Sequence, residues 1–190
     1  MITIRIPKWL EEYQLKAAYP EMADRIDLVL DLAHQNIKER SGGPFAAAVI
    51  QRNSGKPLAL GVNLVISSHC SSAHAEVVAL SLAQQKLQSY DLGTSDLVEY
   101  ELVTSWQPCA MCLGAIHWSG IRSIAIAGCG QEIEELTGFD EGPIHPEWEK
   151  QLNQRGISVA KDLAHQQACE VFRSYRSSGG IIYNPRRNGN

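Results

Sequence analysis

Two short motifs constrain this chain more than any other feature of its sequence. The first is His74-Ala75-Glu76, and the second is Pro108-Cys109-Ala110-Met111-Cys112. Histidine nitrogens and cysteine thiolates are ligands that zinc prefers, so the two motifs together supply a set of zinc ligands. The fold must therefore bring two segments that are distant in sequence to a single metal site.

The number of ligands distinguishes a catalytic zinc site from a structural one. A structural zinc closes its tetrahedron with four protein ligands, whereas a catalytic zinc keeps three and leaves the fourth position to water. The motifs supply His74, Cys109 and Cys112, and the chain has no second Cys-x-x-Cys motif. We therefore expect one catalytic zinc ion per chain. Zinc lowers the pKa of a bound water to about 7, and Glu76 is placed to accept its proton.

Length and composition indicate a small enzyme of the cytoplasm. At 190 residues with 44% hydrophobic residues, the chain can bury one substantial core, so we expect one domain over residues 1–190. Residues 1–20 form an N-terminal extension, and residues 177–190 form a C-terminal tail. The sequence has no run long enough to span a bilayer and no apolar signal peptide, so a membrane location is not expected. Two of its five cysteines belong to the metal motif, which favours the reducing cytoplasm over a disulfide framework.

The charge balance disfavours nucleic acid as a partner. The formal net charge is -4 and the pI is near 5.9, whereas affinity for nucleic acid rests largely on Lys and Arg side chains that neutralise phosphates. Nucleic-acid binding remains an alternative because four arginines lie near the C-terminus, and a basic tail can contact phosphate even in an acidic protein. These arginines are Arg173, Arg176, Arg186 and Arg187.

The hydrophobic pattern alternates between strands and helices and predicts an α/β fold with a central sheet covered by helices. Both halves of the metal motif fall at predicted helix starts, where unpaired N–H groups and the helix dipole stabilise thiolates. After Gly128 the pattern loosens, and residues 131–142 are acidic without clear periodicity. Helices are predicted over 21–40, 74–87, 109–118 and 162–175, and strands over 45–50, 58–65, 101–105, 121–127 and 157–160.

The motifs resemble those of the cytidine deaminase-like superfamily, whose signature combines His-x-Glu with Pro-Cys-x-x-Cys. The segment from Pro108 to Ala115 is similar to the branch that contains guanine deaminases and tRNA adenosine deaminases. The similarity runs from Glu21 to Gly128 and includes Gly43-Pro44-Phe45 and Gly61-Val62-Asn63. The resemblance implies a three-layer α/β/α fold with a central mixed sheet of about five strands flanked by helices.

The resemblance also implies roles for individual residues. His74, Cys109 and Cys112 match the zinc ligands, and Glu76 matches the proton shuttle of the superfamily. Glu76 would take a proton from the zinc-bound water, deliver it to a ring nitrogen of the base, and help to protonate the departing ammonia.

Other matching positions are expected to bind the substrate. Asn63 matches the Asn that binds the base, the backbone N–H of Ala75 would bond to the substrate, and Phe45 would stack on the ring.

Two later segments, residues 138–143 and 179–184, are similar to the corresponding parts of guanine deaminases. The resemblance makes Glu141 the second catalytic acid, with Asp140 the next candidate, because an anionic acceptor can pair with N–H groups on the guanine edge. Phe139 would form a wall of the pocket, and Tyr183 would form a lid.

The expected reaction is hydrolytic attack of zinc-bound hydroxide at C2 of free guanine, which gives xanthine and ammonia. The alternatives are another free base, nucleoside or aminated heterocycle, adenosine in tRNA, and a zinc-binding scaffold without activity. Because related enzymes are commonly dimers or tetramers, the resemblance also implies a homodimer.

Four of the candidate substrate and acid residues have simpler interpretations. Phe45 could be a core side chain, and Asn63 could be a turn residue at the end of its strand. Glu141 could be a solvated acid in an acidic loop, and Tyr183 could be a surface residue of the tail.

Overall fold

The computed structural model describes residues 3–94 and 98–184. In these ranges the strands are β1 (Ala46–Gln51), β2 (Pro57–Val62), β3 (Tyr100–Thr104), β4 (Ser123–Ile126) and β5 (Ser158–Ala160). They form one sheet in the order β2-β1-β3-β4-β5. Strand β1 is antiparallel to β2 and β3, whereas β3, β4 and β5 are parallel to one another. This mixed five-stranded sheet confirms the predicted α/β architecture.

In the part of the chain that the structure describes, four predicted helices are present with ends that differ by a few residues from those expected, and four further helices were not predicted. The additional helices are short and carry too few apolar positions to show a helical period. The helices are α1 (Lys8–Glu11), α2 (Met22–Lys38), α3 (Val65–Ser68), α4 (Ala75–Leu87), α5 (Ala110–Ser119), α6 (Glu132–Thr137), α7 (Trp148–Gln154) and α8 (His165–Ser177).

The sheet separates two hydrophobic cores. Strand β1 shows this directly: Ala46, Ala48 and Ile50 pack in the core that includes α2 and α8, while Ala47 and Val49 pack in the core that includes α4 and α5. Successive side chains of a strand point to opposite faces, so a strand without polar residues is buried on both sides. The result is the expected three-layer α/β/α arrangement.

The N-terminal segment packs onto this framework. Leu10 and Tyr19 are buried, and the indole N–H of Trp9 donates to the hydroxyl of Ser41 at 2.8 Å. The contact lies just after α2, at the start of the loop that leads to β1. Among the described residues, no helix has the length and hydrophobicity needed to cross a membrane.

Candidate active site

Helix α4 approaches the sheet closely at its first turn because strand β2 carries a glycine there. A Cβ atom at Gly61 would lie 2.2 Å from the carbonyl oxygen of Ala75, which is closer than real Cβ atoms come. His74 is the N-cap of α4, and Glu76 lies in its first turn with only 8% of its surface exposed. Gly61 therefore lets the first turn of α4, with His74 and Glu76, pack directly against strand β2.

Helix α5 carries the second motif at its N-terminal end. Cys109 is its N-cap, and its carbonyl oxygen accepts the first bond of the helix from the N–H of Leu113 at 2.9 Å. Cys112 lies in the first turn and is completely buried. Because residues three apart share a helix face, both sulfur atoms point to the same side. The predicted placement of the two motifs at helix starts is confirmed.

The three candidate ligands come together in the geometry of a metal site. The Nδ1 atom of His74 lies 3.5 Å from the Sγ atom of Cys109 and 3.7 Å from the Sγ atom of Cys112. All three candidate ligand atoms lie within 4.8 Å of one another. Zinc bonds of about 2.0–2.3 Å at tetrahedral angles separate nitrogen from sulfur by roughly 3.5 Å. The distances fit one zinc ion held by His74, Cys109 and Cys112.

The charges of the two thiols also indicate a cation site. The hydrogen bond with Cys112 lowers the pKa of Cys109 to about 4, with a further contribution from His74. The same hydrogen bond, burial and the charge of Glu76 raise the pKa of Cys112 far above its ordinary value. Two neighbouring buried thiols therefore cannot both ionise without a cation, since each thiolate disfavours the other. A divalent metal ion removes this conflict and releases the second proton.

A cavity of about 560 Å³ opens beside the candidate ligands. Its wall includes eight of the predicted site residues, drawn from both metal motifs, from the start of β1 and from the segments that follow α6 and α8. These eight are Phe45, His74, Glu76, Cys109, Phe139, Asp140, Glu141 and Tyr183. Residues from distant parts of the chain therefore share one pocket, as the sequence predicts.

Two carboxyl groups in this pocket hold their protons more tightly than usual. Burial, and then the negative charge of Cys109, raise the pKa of Glu76 to about 7. Burial and the charges of Cys109 and Glu76 raise the pKa of Glu141 to about 8. Carboxyl groups with pKa values near neutrality can both take up and release protons, and such groups cluster at active sites.

Asp140 and Glu141 differ in exposure and in the hydrogen bonds that they make. The side chain of Asp140 is exposed and accepts a hydrogen bond from the N–H of Gly142 at 2.9 Å, within a local turn. Glu141 is less exposed, and its backbone carbonyl accepts from the N–H of Ala110 at 3.1 Å. This bond ties Glu141 to the start of α5, beside the candidate ligands. Of the two acids, Glu141 is the better placed for chemistry.

Aromatic rings form the apolar walls of the pocket. The rings of Phe45 and Phe139 meet edge to face with centroids 5.3 Å apart, and Tyr183 packs on Phe139 at 4.9 Å. Behind them, Phe172 of α8 contacts Phe45 at 5.7 Å. Phe45 thus belongs both to the edge of the core and to the pocket, and Tyr183 lines the pocket with a partly buried side chain. These rings give the cavity an apolar, aromatic side against which a planar ring can pack.

Two predicted substrate-binding residues lie outside the direct lining. Ala75 has a fully buried side chain between His74 and Glu76, at the start of α4. Asn63 follows strand β2 with 1% of its surface exposed. Its Oδ1 accepts from the N–H groups of Gly43 and Val65, both at 3.3 Å. Asn63 is therefore not among the residues that line the cavity, and it lies next to the Tyr183 side chain, which does line it.

Sequence reasoning included Asn184 in the segment 179–184 that resembles guanine deaminases but gave this residue no role in the site. Its Nδ2 atom donates to the carbonyl of Gly138 at 2.6 Å, and its Oδ1 accepts from the N–H of Asp140 at 3.0 Å. These bonds hold the C-terminal segment against the loop that carries Phe139 and Glu141. An asparagine in a polar tail has no periodicity or motif that would have revealed this contact. The other unpredicted lining residues are Val65, Ser71, Gln107, Ala110, Met111 and Gly142.

The arginines that kept a nucleic-acid alternative open fall into two groups. Arg173 and Arg176 lie on α8, and one nitrogen of Arg176 donates to the carbonyl of Thr137 at 3.5 Å. Arg186 and Arg187 lie outside the described residues.

The fold and the site define a zinc-dependent deaminase. Residues 23–128 match the cytidine and deoxycytidylate deaminase zinc-binding region, and the chain belongs to this family of zinc aminohydrolases. The match confirms the predicted superfamily and zinc as the metal. It ends before the segments that carry Phe139, Glu141 and Tyr183.

Within the family, the chain is close to guanine deaminases and related to tRNA adenosine deaminases. The solved structure of guanine deaminase from Nitrosomonas europaea superposes with a TM-score of 0.88 at 42% identity, covering 93% of this chain and 97% of that one. Guanine deaminase of Bacillus subtilis is 36% identical over 126 residues, which are 66% of this chain and 76% of that protein. A tRNA-specific adenosine deaminase of Buchnera aphidicola is 35% identical over 138 residues, 73% of this chain and 83% of that one.

Proposed function

We propose that this protein hydrolyses guanine to xanthine and ammonia. The observation that carries the proposal is the pairing of Glu76 and Glu141 in one aromatic-walled pocket beside the metal-ligand cluster. The similarity to the guanine deaminase of Nitrosomonas europaea supports this choice, because it extends over nearly the full length of both chains.

Zinc, when bound by His74, Cys109 and Cys112, supplies a Lewis acid that makes water a nucleophile near neutral pH. The carboxylate of Glu76 accepts a proton from that water and delivers it to the ring nitrogen beside C2. Glu76 then takes the proton of the new hydroxyl group on C2 and passes it to the amino group, so that the C–N bond breaks, ammonia leaves and the C2 carbonyl of xanthine forms. A carboxyl group with a raised pKa suits this role because it must both accept and donate a proton.

We assign Glu141 to the edge of guanine that carries N–H groups. The ionised form of Glu141 is favoured when a zinc ion is held beside it, and a carboxylate accepts hydrogen bonds and offers none, so it favours a base that presents donors at this position. Phe45 and Phe139 hold the plane of the ring, and Tyr183 covers the pocket on the solvent side. The backbone N–H of Ala75 and the amide of Asn63 are the proposed neutral contacts to the base.

Deamination of adenosine in tRNA is the competing proposal, since a tRNA-specific relative shares 35% identity. The acidic charge of the chain and the acids at the pocket mouth disfavour a polyanionic partner. The covering position of Tyr183 and Asn184 favours a small ligand over a nucleotide within a folded RNA.

The test is ammonia release by zinc-loaded protein offered guanine, adenine, guanosine, cytosine, cytidine, ammeline or an anticodon stem-loop RNA. Glu76→Gln is the blank, and exposed Glu170→Gln is the matched control variant. We expect the wild-type protein and Glu170→Gln to release ammonia from guanine, and we expect Glu76→Gln to release none. Turnover of the RNA alone would replace the proposal with tRNA editing, and turnover of another small substrate would reassign the base.

We further propose that the protein is a cytoplasmic homodimer with a single catalytic domain. The five cysteines are free thiols, as a reducing compartment requires. Met111, a wall residue of the pocket, and Trp118 leave an exposed apolar surface on α5, with Trp118 82% exposed. Sedimentation equilibrium tests the dimer, and a monomer at micromolar concentration would contradict it.

A further inference from the structure

A buried asparagine that no motif singles out lies beneath the proposed base-binding amide. Asn36 is on α2, has no exposed surface, and donates from its Nδ2 atom to two backbone carbonyls. One acceptor is Gly43, at 2.8 Å, in the loop between α2 and β1. The other is Asn63, at 3.0 Å, just after β2. A single side-chain amide thus joins two segments that are distant in sequence.

The bonds orient the side chain of Asn63. The N–H of Gly43 donates to Asn63 Oδ1 at 3.3 Å, and the N–H of Val65 donates to the same atom at 3.3 Å. The N–H of Asn63 donates to the carbonyl of Phe45 at 3.0 Å. With Oδ1 held by two donors, the amide of Asn63 has only its Nδ2 hydrogens left to offer.

Those hydrogens are buried and unused in the described part of the chain. Asn63 Nδ2 has no hydrogen-bond partner of suitable geometry among the described residues. The hydroxyl of Tyr183, a wall residue of the pocket, comes close to this amide. A buried donor without a partner is rare in native proteins and marks a place where a ligand or water completes the bonding.

Close packing makes the arrangement depend on glycine. A Cβ atom at Gly42 would lie 1.8 Å from the carbonyl oxygen of Asn63, the oxygen that accepts from Asn36. A Cβ atom at Gly43 would lie 2.8 Å from the Tyr183 hydroxyl. The loop therefore fits against the backbone of Asn63 only because Gly42 has no side chain, and Gly43 leaves room for the Tyr183 hydroxyl.

The amide of Asn36 is used on one side only, as a donor. Its Oδ1 atom is buried without a hydrogen-bond partner among the described residues. An apolar side chain of the same shape would avoid this unpaired acceptor but would remove the donor that Asn36 supplies to the carbonyls of Gly43 and Asn63. The bonds lead to the segment that holds Asn63, beside the pocket.

We propose that Asn36 is a positioning residue that holds Asn63 as a donor toward an acceptor atom of the bound base. Asn36 acts through the backbone of Gly43 and Asn63 and does not touch the substrate. The inference rests on the proposed function in one respect, namely that Asn63 binds the substrate. The chemistry it assigns to this part of the base is a hydrogen-bond acceptor, such as a carbonyl oxygen or an unprotonated ring nitrogen.

The first test does not depend on activity. Amide hydrogen exchange at Gly43 and Val65 is measured in the wild-type protein, in Asn36→Leu and in Leu28→Ala. Leu28 is a buried α2 residue that takes no part in these bonds, so its variant controls for a general loss of stability. We expect Asn36→Leu to speed exchange at both amides by about tenfold more than a control of equal melting temperature. Equal exchange at equal stability would overturn the proposal.

The second test is a double-mutant cycle on kcat/KM, with zinc content held constant. We expect Asn36→Leu to lower kcat/KM about tenfold, mainly through KM, and to have little further effect when Asn63 is already alanine. Additive losses would show that Asn36 does not act through Asn63. If Asn36→Leu folds poorly, Asn36→Asp replaces it, because a carboxylate keeps the shape but loses the two donors.

The two tests separate this inference from the proposed function. Any nucleobase that the wild-type protein deaminates can be used for the double-mutant cycle. The cycle can therefore still be measured if guanine is not a substrate but another base is. If no base is turned over, the exchange experiment still decides whether Asn36 orders the loop and Asn63.

Discussion

Asn184 donates a hydrogen bond of 2.6 Å to the carbonyl of Gly138 and so ties the C-terminal segment to the loop that follows α6. Its Oδ1 atom also accepts from the N–H of Asp140 at 3.0 Å. The same loop carries Phe139 and Glu141, which line the pocket. The Asn184 side chain therefore joins the segment that carries Tyr183 to the loop that carries Glu141, and both of these residues line the pocket.

Removal of this side chain should loosen the pocket without affecting the metal. Asn184→Ala loses two hydrogen bonds worth about 1 kcal/mol each, so we expect kcat/KM for guanine to fall roughly tenfold at unchanged zinc content. Steady-state kinetics check this, with the exposed Asn153→Ala as the matched control. Kinetics equal to those of the control would show that the tail does not shape the site.

Loss of a candidate ligand should release the metal. We expect Cys109→Ser to weaken zinc binding by at least about a hundredfold, since loss of an outer-shell partner alone weakens it by about 10–100-fold. Competition with a chromogenic chelator measures the affinity. Cys129→Ser is the control, because Cys129 lies outside the ligand cluster. Normal zinc affinity in Cys109→Ser would remove this residue from the ligand set.

Glu141 should affect the substrate rather than the metal. Glu141→Gln keeps the shape of the side chain but cannot accept a proton or pair as an anion. We expect kcat/KM for guanine to fall by about 10²–10⁴-fold with zinc retained. The exposed Glu135→Gln is the control for charge loss nearby. Unchanged guanine kinetics in Glu141→Gln would exclude it as a catalytic acid.

The metal-free protein should lose stability as the pH rises. Folding raises the pKa of Glu141 from 4.5 to about 8 and that of Glu76 from 4.5 to about 7. Within these windows the folded state binds more protons at the two carboxyl groups than the unfolded state, so their joint contribution to stability is greatest below pH 4.5 and is lost as the pH rises; below pH 7 it outweighs the opposite contribution of Cys109, whose pKa is lowered to about 4. Each group contributes a slope of up to about 1.4 kcal/mol per pH unit.

Urea unfolding with a chelator present, between pH 5 and pH 8, measures this slope. Glu141→Gln should show a shallower decline than the wild-type protein because its amide does not titrate. Equal slopes in the two proteins would contradict the raised pKa of Glu141.

Much of the fold was predictable because long helices and strands carry a clear hydrophobic period. Helix α2, with its buried stripe, was predicted within two residues at each end. The acidic segment was not, because helix α6 is six residues long and buries only Ile133 and Thr137. Helix α7 follows two prolines and buries only Trp148 and Leu152. A helix of one or two turns leaves too few apolar positions to show its period.

The site was predictable where chemistry requires particular residue types at fixed spacing. His74, Cys109 and Cys112 meet as their motifs indicated, and Glu76 lies beside them. The choice between Asp140 and Glu141 needed the structure, because only coordinates show that Asp140 closes a local turn. No motif predicted a role for Asn36 or Asn184, since each acts through bonds to the backbone of distant segments.

The most direct test of the central claim is guanine turnover and zinc content measured on the same preparations of wild-type protein and Glu76→Gln. The wild-type protein should convert guanine to equal amounts of xanthine and ammonia, followed by ultraviolet absorbance and an ammonia assay. Glu76→Gln should keep one zinc ion per chain and lose nearly all turnover, because its amide preserves the shape of the side chain but cannot accept a proton and pass it on. Turnover by Glu76→Gln near the wild-type rate, or a zinc-loaded wild-type protein that leaves guanine intact, would contradict the account.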